Sequence, residues 1–285
     1  MGYTKRTFGT DLGGVWVWQS KGPGYPLVLL HGNGLSCEAF AAQMASPLAE
    51  RHRLVAIDLP GHGRSADAAD PATGYTLPGQ AAAVGAVLAA LEIDEAVLLG
   101  WSLGGHVALE LAASWDGAAG VVLTGAPPAT PSPAGLAAAF APHPAAALLA
   151  RETLSPEEIE QLVRVVFGAP VPDFARPALA RSDGRARRHL FESLARGEAT
   201  DERALVEAGT LPVAVIDGAD DPLINHAYLD GLRFARLWRG RIHRIAGAGH
   251  APFLTAPAAY NRLLAAIMAN FARRAAPPAR AAGLR

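Results

Sequence analysis

A single cysteine, Cys37, is the only thiol in 285 residues. One thiol cannot form an internal disulfide, and no Cys/His cluster has the spacing of zinc ligands. These absences point to a reducing, cytoplasmic setting and to chemistry that needs neither a metal nor a cofactor. Lysine is nearly missing too: Lys5 and Lys21 stand alone, and 25 basic residues balance 26 acidic ones to a net charge of -1. Without a basic stripe the chain has nothing to track a phosphate backbone or an anionic bilayer, which excludes nucleic acid and membrane as partners. The start, Met1-Gly2-Tyr3-Thr4-Lys5-Arg6, lacks the apolar core of a signal peptide, and Arg6 stands where a myristoylation signal has Ser or Thr. The longest apolar stretches, Ala81 to Leu91 and Ala134 to Ala150, are too short for a bilayer or are broken by Pro142, His143 and Pro144.

What remains is a globular chain, 51% apolar and 18% charged, of a length that suits one large α/β unit with an insertion. Short apolar runs recur at Val15 to Trp18, Leu27 to Leu30, Leu54 to Ile57, Ala96 to Leu99 and Val121 to Leu123, as expected for strands buried on both faces of a mostly parallel sheet. Ala-rich helical segments, Gln80 to Leu91 and Leu103 to Ser114, lie between them, so the alternation predicts an α/β fold. From Ala126 to Gly209 the chain is punctuated by proline and reads as short helices at Pro156 to Phe167, Asp183 to Arg196 and Asp201 to Ala208, an inserted helical cap. Strand character returns at Pro212 to Asp217 and Ile242 to Ile245, and a last helix spans Pro257 to Arg273. The expected division is a core over 1–125 and 210–273, a cap over 126–209 and a flexible tail over 274–285.

Gly100-Trp101-Ser102-Leu103-Gly104-Gly105 falls between a strand and a helix, where a G-x-S-x-G turn holds its serine strained and exposed. Ser102 is therefore the candidate nucleophile, and a serine hydroxyl needs a base. His250, in the glycine-rich loop Gly247 to Phe253 after the last strand, is the candidate; His243, His189 and His226 lack such a loop. His106, one helical turn after Ser102, is expected to pack beneath the elbow. The acid belongs after Ser102 and before His250. Among Asp217, Asp220 and Asp221, the last follows the turn and precedes Pro222, which favours it for a long reach to the histidine. His31-Gly32-Asn33-Gly34 follows the strand Leu27 to Leu30 and supplies an oxyanion loop, with the backbone N–H groups of Asn33 and Leu103 as donors. Asn33, by its side chain, and Trp101, Gly32 and Gly34 are expected at the substrate. His31 and the turn Asp58 to Ser65 are read as scaffold for that loop. The cap residues Leu136, Phe140, Leu148, Leu162, Val166 and Phe167 either pack the cap or line an apolar acyl site.

Together the His31 to Gly34 loop, the Asp58 to Ser65 turn, the Gly100 to Gly105 elbow, Gly218-Ala219-Asp220-Asp221-Pro222 and Gly249-His250 resemble the α/β-hydrolase superfamily over about Leu27 to Phe271. More narrowly, Gly100 to His106, Thr124-Gly125-Ala126-Pro127-Pro128 and Ser182 to Arg188 are similar to the metal-independent N-acyl-homoserine lactonases of that fold. The resemblance implies a serine hydrolase that opens the lactone ring of a small-molecule substrate. It also implies a glutamate at Asp221 and a substrate-contacting cap tyrosine, and here the acid is Asp and residues 126–209 hold no tyrosine. The other activities the same residues suit are a short-chain carboxylesterase, a cofactor-free perhydrolase, a carbon–carbon bond hydrolase and, without turnover, a small-molecule receptor.

Overall fold

The apolar runs pair into one eight-stranded sheet in a computed structural model that describes residues 2–275. In chain order the strands are β1 (Tyr3–Thr10), β2 (Gly13–Ser20), β3 (Gly24–Leu30), β4 (His52–Ile57), β5 (Ala96–Trp101), β6 (Ala118–Thr124), β7 (Val213–Gly218) and β8 (His243–Ile245). Their spatial order is β1-β2-β4-β3-β5-β6-β7-β8, antiparallel where β2 meets β1 and β4 and parallel from β4 to β8. This is the mostly parallel sheet of the α/β-hydrolase fold that the sequence predicts.

Alternation along each strand divides the core between the two faces, because successive side chains point to opposite sides. Leu27, Leu29, Leu54, Ala56, Val97 and Leu99 enter one cluster. Val28, Leu30, Val55, Ile57, Leu98 and Val121 enter the other. Both faces are apolar, so these strands read as continuous runs rather than alternating ones. β1 escapes such a reading. Its sequence YTKRTFGT is an edge strand with most side chains half-buried or exposed, and pairing with β2 by backbone hydrogen bonds requires no apolar face.

The topology creates the crevice. After β3 the chain moves to β4 on one side and later returns to β5 on the other, so the connections leaving β3 and β5 diverge at the carboxyl ends of adjacent strands. Leu30 pairs with Gly100 there, which sets the His31 loop against the Ser102 turn. β5 leads into helix α1 (Leu103–Ser114). Close backbone approach explains the elbow glycines: a Cβ at Gly100 would lie 2.1 Å from the Gly104 carbonyl oxygen, and one at Gly104 would lie 2.1 Å from that of Leu30. Backbone cannot yield cheaply, so Gly104→Ala is expected to destabilise the fold by about 2 kcal/mol or more, read by urea denaturation.

Between β6 and β7 the regular structure is helical: α2 (Pro133–Ala139), a 3-10 turn at Pro144–Ala150, α3 (Pro156–Phe167), α4 (Ala175–Arg181), α5 (Gly184–Ala195) and α6 (Glu202–Ala208). A side-chain N-cap starts five of these six, three of them with proline at the first turn, as for α3, where Ser155 and Glu158 form a capping box. Arg187, buried on α5, knits this segment by donating to the carbonyls of Arg151 and Glu152 and to Ser182 Oγ, at 2.7 to 2.9 Å. Asp183 ties it to the sheet, taking a hydrogen bond of 2.5 Å from the Tyr75 hydroxyl while its own N–H donates to the Gly61 carbonyl. The last helix, α7 (Pro257–Ala275), runs slightly past Arg273. The expected tail beyond it lies outside the described residues. No helix among the described residues is long and apolar enough to cross a membrane.

Candidate active site

Ser102 occupies φ 52° and ψ -122°, a left-handed backbone that an L-residue with a Cβ adopts only under constraint. The constraint is two-sided: its N–H donates to the Thr124 carbonyl at 2.9 Å, and its own carbonyl receives the Gly105 N–H at 2.8 Å. The side chain is thereby lifted off the sheet edge at the start of α1. Leu103 opens that helix, and its N–H is among the first-turn donors that have no helical partner. Gly32 packs so closely on this turn that a Cβ there would lie 3.3 Å from both Ser102 Cβ and the Trp101 ring.

The His31 to Gly34 loop is held from below. Neutral His31 donates from Nδ1 to the Gly32 carbonyl at 2.8 Å and accepts the Leu59 N–H at Nε2 at 3.0 Å. Burial pushes its pKa down to about 4, so it remains uncharged. Asp58 accepts the N–H groups of Cys37 and Arg64 at 2.7 and 2.8 Å, which joins the loop after β3 to the turn after β4. Asn33 donates from Nδ2 to the Leu149 carbonyl at 3.3 Å, while its Oδ1 is buried with no protein donor. Gly34 turns at φ +74° beneath Leu179, whose Cδ1 would lie 2.3 Å from an added Cβ, so helical packing accounts for the glycine.

His250 donates from Nδ1 to Asp221 Oδ2 at 2.8 Å, with both side chains almost wholly buried. Asp221 Oδ1 accepts the Leu223 N–H at 2.9 Å, so the turn orients the carboxylate. Burial pushes that carboxyl upward, yet the His250 ring, by charge and hydrogen bond, holds it below the ordinary range. Trp101 secures the His250 loop by donating from Nε1 to the His250 carbonyl at 2.8 Å, and Gly125 leaves the ring its space, since a Cβ there would lie 2.6 Å from His250 Cε1. Of the competing aspartates, Asp220 is exposed, whereas Asp217 is buried at the end of β7 and accepts the Gly125 N–H at 2.7 Å.

Asp217 has a charge state of its own. Burial, reinforced by the negative field of Asp221 and against the pull of the Gly125 N–H, raises its pKa to about 7. A carboxyl whose folded pKa lies above its unfolded value holds its proton more tightly when folded, so it contributes stability at low pH that is lost as pH rises toward 7. Asp217→Asn keeps the acceptor for Gly125 and removes the charge. The variant is therefore expected to gain stability over the parent between pH 4 and pH 8, seen as a growing difference in thermal midpoint.

Ser102 and Asn33 stand where two mostly apolar chambers meet. One is also lined by Trp101, His250, Leu223, Ala146 and Val166. The other runs along α1 and takes in Leu103, His106, Leu190, Leu194 and Glu202. Leu136, Phe140, Leu149 and Phe191 wall both. Of the insertion residues that sequence left between packing and lining, Leu136, Phe140 and Val166 face these chambers, while Leu148, Leu162 and Phe167 are buried in the core cluster. His106 departs from its expected place beneath the elbow: its ring faces the second chamber and bonds Glu202, the first residue of α6. The sequence signal was the spacing of four from Ser102, which puts both on neighbouring turns of one element.

The alpha/beta hydrolase family profile matches residues 27–263. The chain is 35% identical over 249 residues to the pimeloyl-[acyl-carrier protein] methyl ester esterase of Aromatoleum aromaticum, covering 81% of this chain and 93% of the relative. Among solved structures it is similar to the N-acyl homoserine lactonase AidH bound to N-hexanoyl homoserine lactone, with a TM-score of 0.91 and 36% identity over 95% of this chain and 98% of that one. An esterase from Rhodococcus sp. gives a TM-score of 0.76 and 27% identity, covering 95% and 100%. With esterases and a lactonase as relatives, the chain is a hydrolase acting on ester or lactone bonds, and it belongs to the alpha/beta hydrolase family.

Proposed function

We propose that this protein opens the homoserine lactone ring of N-acyl-homoserine lactones by Ser102-His250-Asp221 catalysis, and so quenches signals built on them. The observation that carries the reading is the placing of Ser102 at the junction of two mostly apolar chambers, one lined by His250 and one running along α1. Likeness to the lactonase AidH, at a TM-score of 0.91 against 0.76 for the Rhodococcus esterase, supports the same choice.

The steps balance on this chain's own groups. Ser102 Oγ attacks the ring carbonyl carbon as His250 Nε2 takes its proton, and Asp221 keeps the proton on Nδ1 and stabilises the imidazolium. The N–H groups of Asn33 and Leu103 receive the negative oxygen, contributing a few kcal/mol where donors are preorganised. The ring C–O bond then breaks, and His250 returns its proton to the departing oxygen, which becomes a tethered hydroxyl. Water, deprotonated by His250, attacks the acyl-enzyme before that hydroxyl can re-close the ring; the Ser102 Oγ–acyl bond then breaks and His250 returns the proton to Oγ. The product is an N-acyl-homoserine carboxylate whose charge disfavours the apolar chambers and assists release. The leaving oxygen must lie near His250, so the chamber that His250 lines takes the alcohol side and the chamber along α1 takes the acid side with its N-acyl chain.

The other reading is a carboxylesterase, favoured by the 35% identity to the pimeloyl-[acyl-carrier protein] methyl ester esterase. Mass spectrometry separates them. A gain of one water with the acyl amide intact, over many turnovers, is the expected result for N-octanoyl-homoserine lactone. Release of methanol from carboxyacyl methyl esters with every lactone untouched makes the esterase the function, free fatty acid makes the protein an acylase, and one product per protein makes it a receptor.

A further inference from the structure

The acid-side chamber contains an ion pair that the steps above do not use. His106 Nδ1 lies 2.9 Å from both carboxylate oxygens of Glu202, with side-chain exposures of 13% and 4%. The pair joins α1, which carries the elbow, to the first turn of α6. Glu202 Oε2 also accepts the Ala129 N–H at 3.1 Å, so the carboxylate is fixed from two directions and fixes the ring in turn. Phe140 lies against the imidazole with ring centroids 5.9 Å apart. Among the described residues His106 Nε2 has no protein partner and is not sealed off from space, which leaves it facing the chamber.

The protonation state follows from the surroundings. Burial favours neutral imidazole, but the Glu202 carboxylate opposes this by charge and hydrogen bonding and holds His106 above its ordinary pKa. With Nδ1–H engaged by Glu202, the charged ring points Nε2–H into an apolar space as a charge-assisted donor. The pair as a whole is neutral. A neutral acceptor oxygen therefore suits it better than a carboxylate, which would add an unbalanced negative charge beside Glu202. His106 stands four residues beyond Ser102, roughly 6 Å along the helix axis. A donor there meets the acyl chain a few atoms past the scissile carbonyl.

We infer that the His106–Glu202 pair is a specificity determinant that selects substrates carrying a neutral acceptor oxygen, such as a ketone, on the acid side of the scissile bond. This rests on Ser102 as nucleophile and on the chamber assignment; within the lactone reading, where the amide carbonyl is common to all substrates, it names chains with a second such oxygen, oxo-substituted acyl chains, as the preferred class. Donors without the geometry of the pair, the hydroxyls of Thr130 and Thr200, share the chamber wall and set the background. A hydrogen bond from a charged donor corresponds to about tenfold or more in kcat/KM.

The test compares octanoyl substrates with counterparts bearing a ketone at C3, C4, C5 or C6 of the chain, as N-acyl-homoserine lactones and as p-nitrophenyl esters. The expected result is a single maximum along the chain, about tenfold above the unsubstituted compound. In the double variant His106→Leu, Glu202→Gln, which leaves no buried charge unpaired, the ratio of oxo-substituted to unsubstituted turnover falls to near one. Equal loss on both substrates assigns the pair to packing and overturns the inference. So does a flat profile in the parent protein, which requires no variant to fold. Preference on esters with every lactone inert sinks the lactone reading alone. Calorimetry of the matching non-hydrolysable oxo- and alkyl-amides gives the ratio as affinity even without turnover, and equal affinities overturn the inference.

Discussion

Ser102→Gly is expected to abolish turnover, by 10³-fold or more in kcat, roughly the cost when one member of a nucleophile–base unit is removed, and to leave the protein at least as stable as the parent. The two effects have one cause. The elbow holds a residue with a Cβ at φ 52°, a conformation that costs of order 1–3 kcal/mol for anything but glycine and that exists here to expose Oγ. Glycine releases that strain, against an entropic cost of roughly 0.5–1 kcal/mol in the unfolded chain. Ser102→Ala keeps the strain and is expected to be equally inactive without the gain. Single-turnover kinetics on an aryl ester together with thermal denaturation check both halves. Retained activity in either variant removes Ser102 from the mechanism, and a glycine variant less stable than the alanine one shows that the elbow is not strained.

Asp221→Asn is expected to lower kcat by roughly 10³- to 10⁴-fold with little change in KM, because the amide presents N–H groups to His250 Nδ1 and stabilises the tautomer whose Nε2 cannot accept the Ser102 proton. Asp220→Asn, at an exposed position that does not bond His250, is expected to retain most of the rate. Asp217→Asn also retains it, since the amide oxygen still accepts the Gly125 N–H and the neutral side chain resembles the protonated acid. The three variants are isosteric to their parents, so their contrast is electrostatic rather than steric. A collapse confined to Asp220→Asn or Asp217→Asn reassigns the acid.

The largest part of the candidate site was legible because its rules are local. Glycine on both sides of Ser102 is dictated by atoms of the next few residues and of the adjacent strand, and continuous apolar runs identify strands buried on two faces wherever they occur. Chain order then points from Ser102 to His250 and to a short list of aspartates. β1 was not legible, since an edge strand is held by its neighbour's backbone and has no need of an apolar pattern.

The turn before Pro222 favours Asp221 among the aspartates, and the fold brings that one to His250. Asp217, Asp220 and Asp221 lie within five positions of one another, and what separates them is which way β7 and its turn present each carboxylate to a histidine 29 residues away. The same holds in the helical insertion, where Leu136 and Leu148 are chemically alike, yet one walls both chambers and the other is buried in core packing. His106 and Glu202 are 96 residues apart and on different layers, so no periodicity links them. The sequence by itself determined the buried strands of the sheet and the glycine-flanked turn at Ser102, because backbone sterics and apolar burial act between near neighbours. Only the tertiary structure decided that Asp221 bonds His250, which apolar residues face the two chambers and that His106 meets Glu202 in one of them, because those depend on distances that sheet order sets across the whole chain.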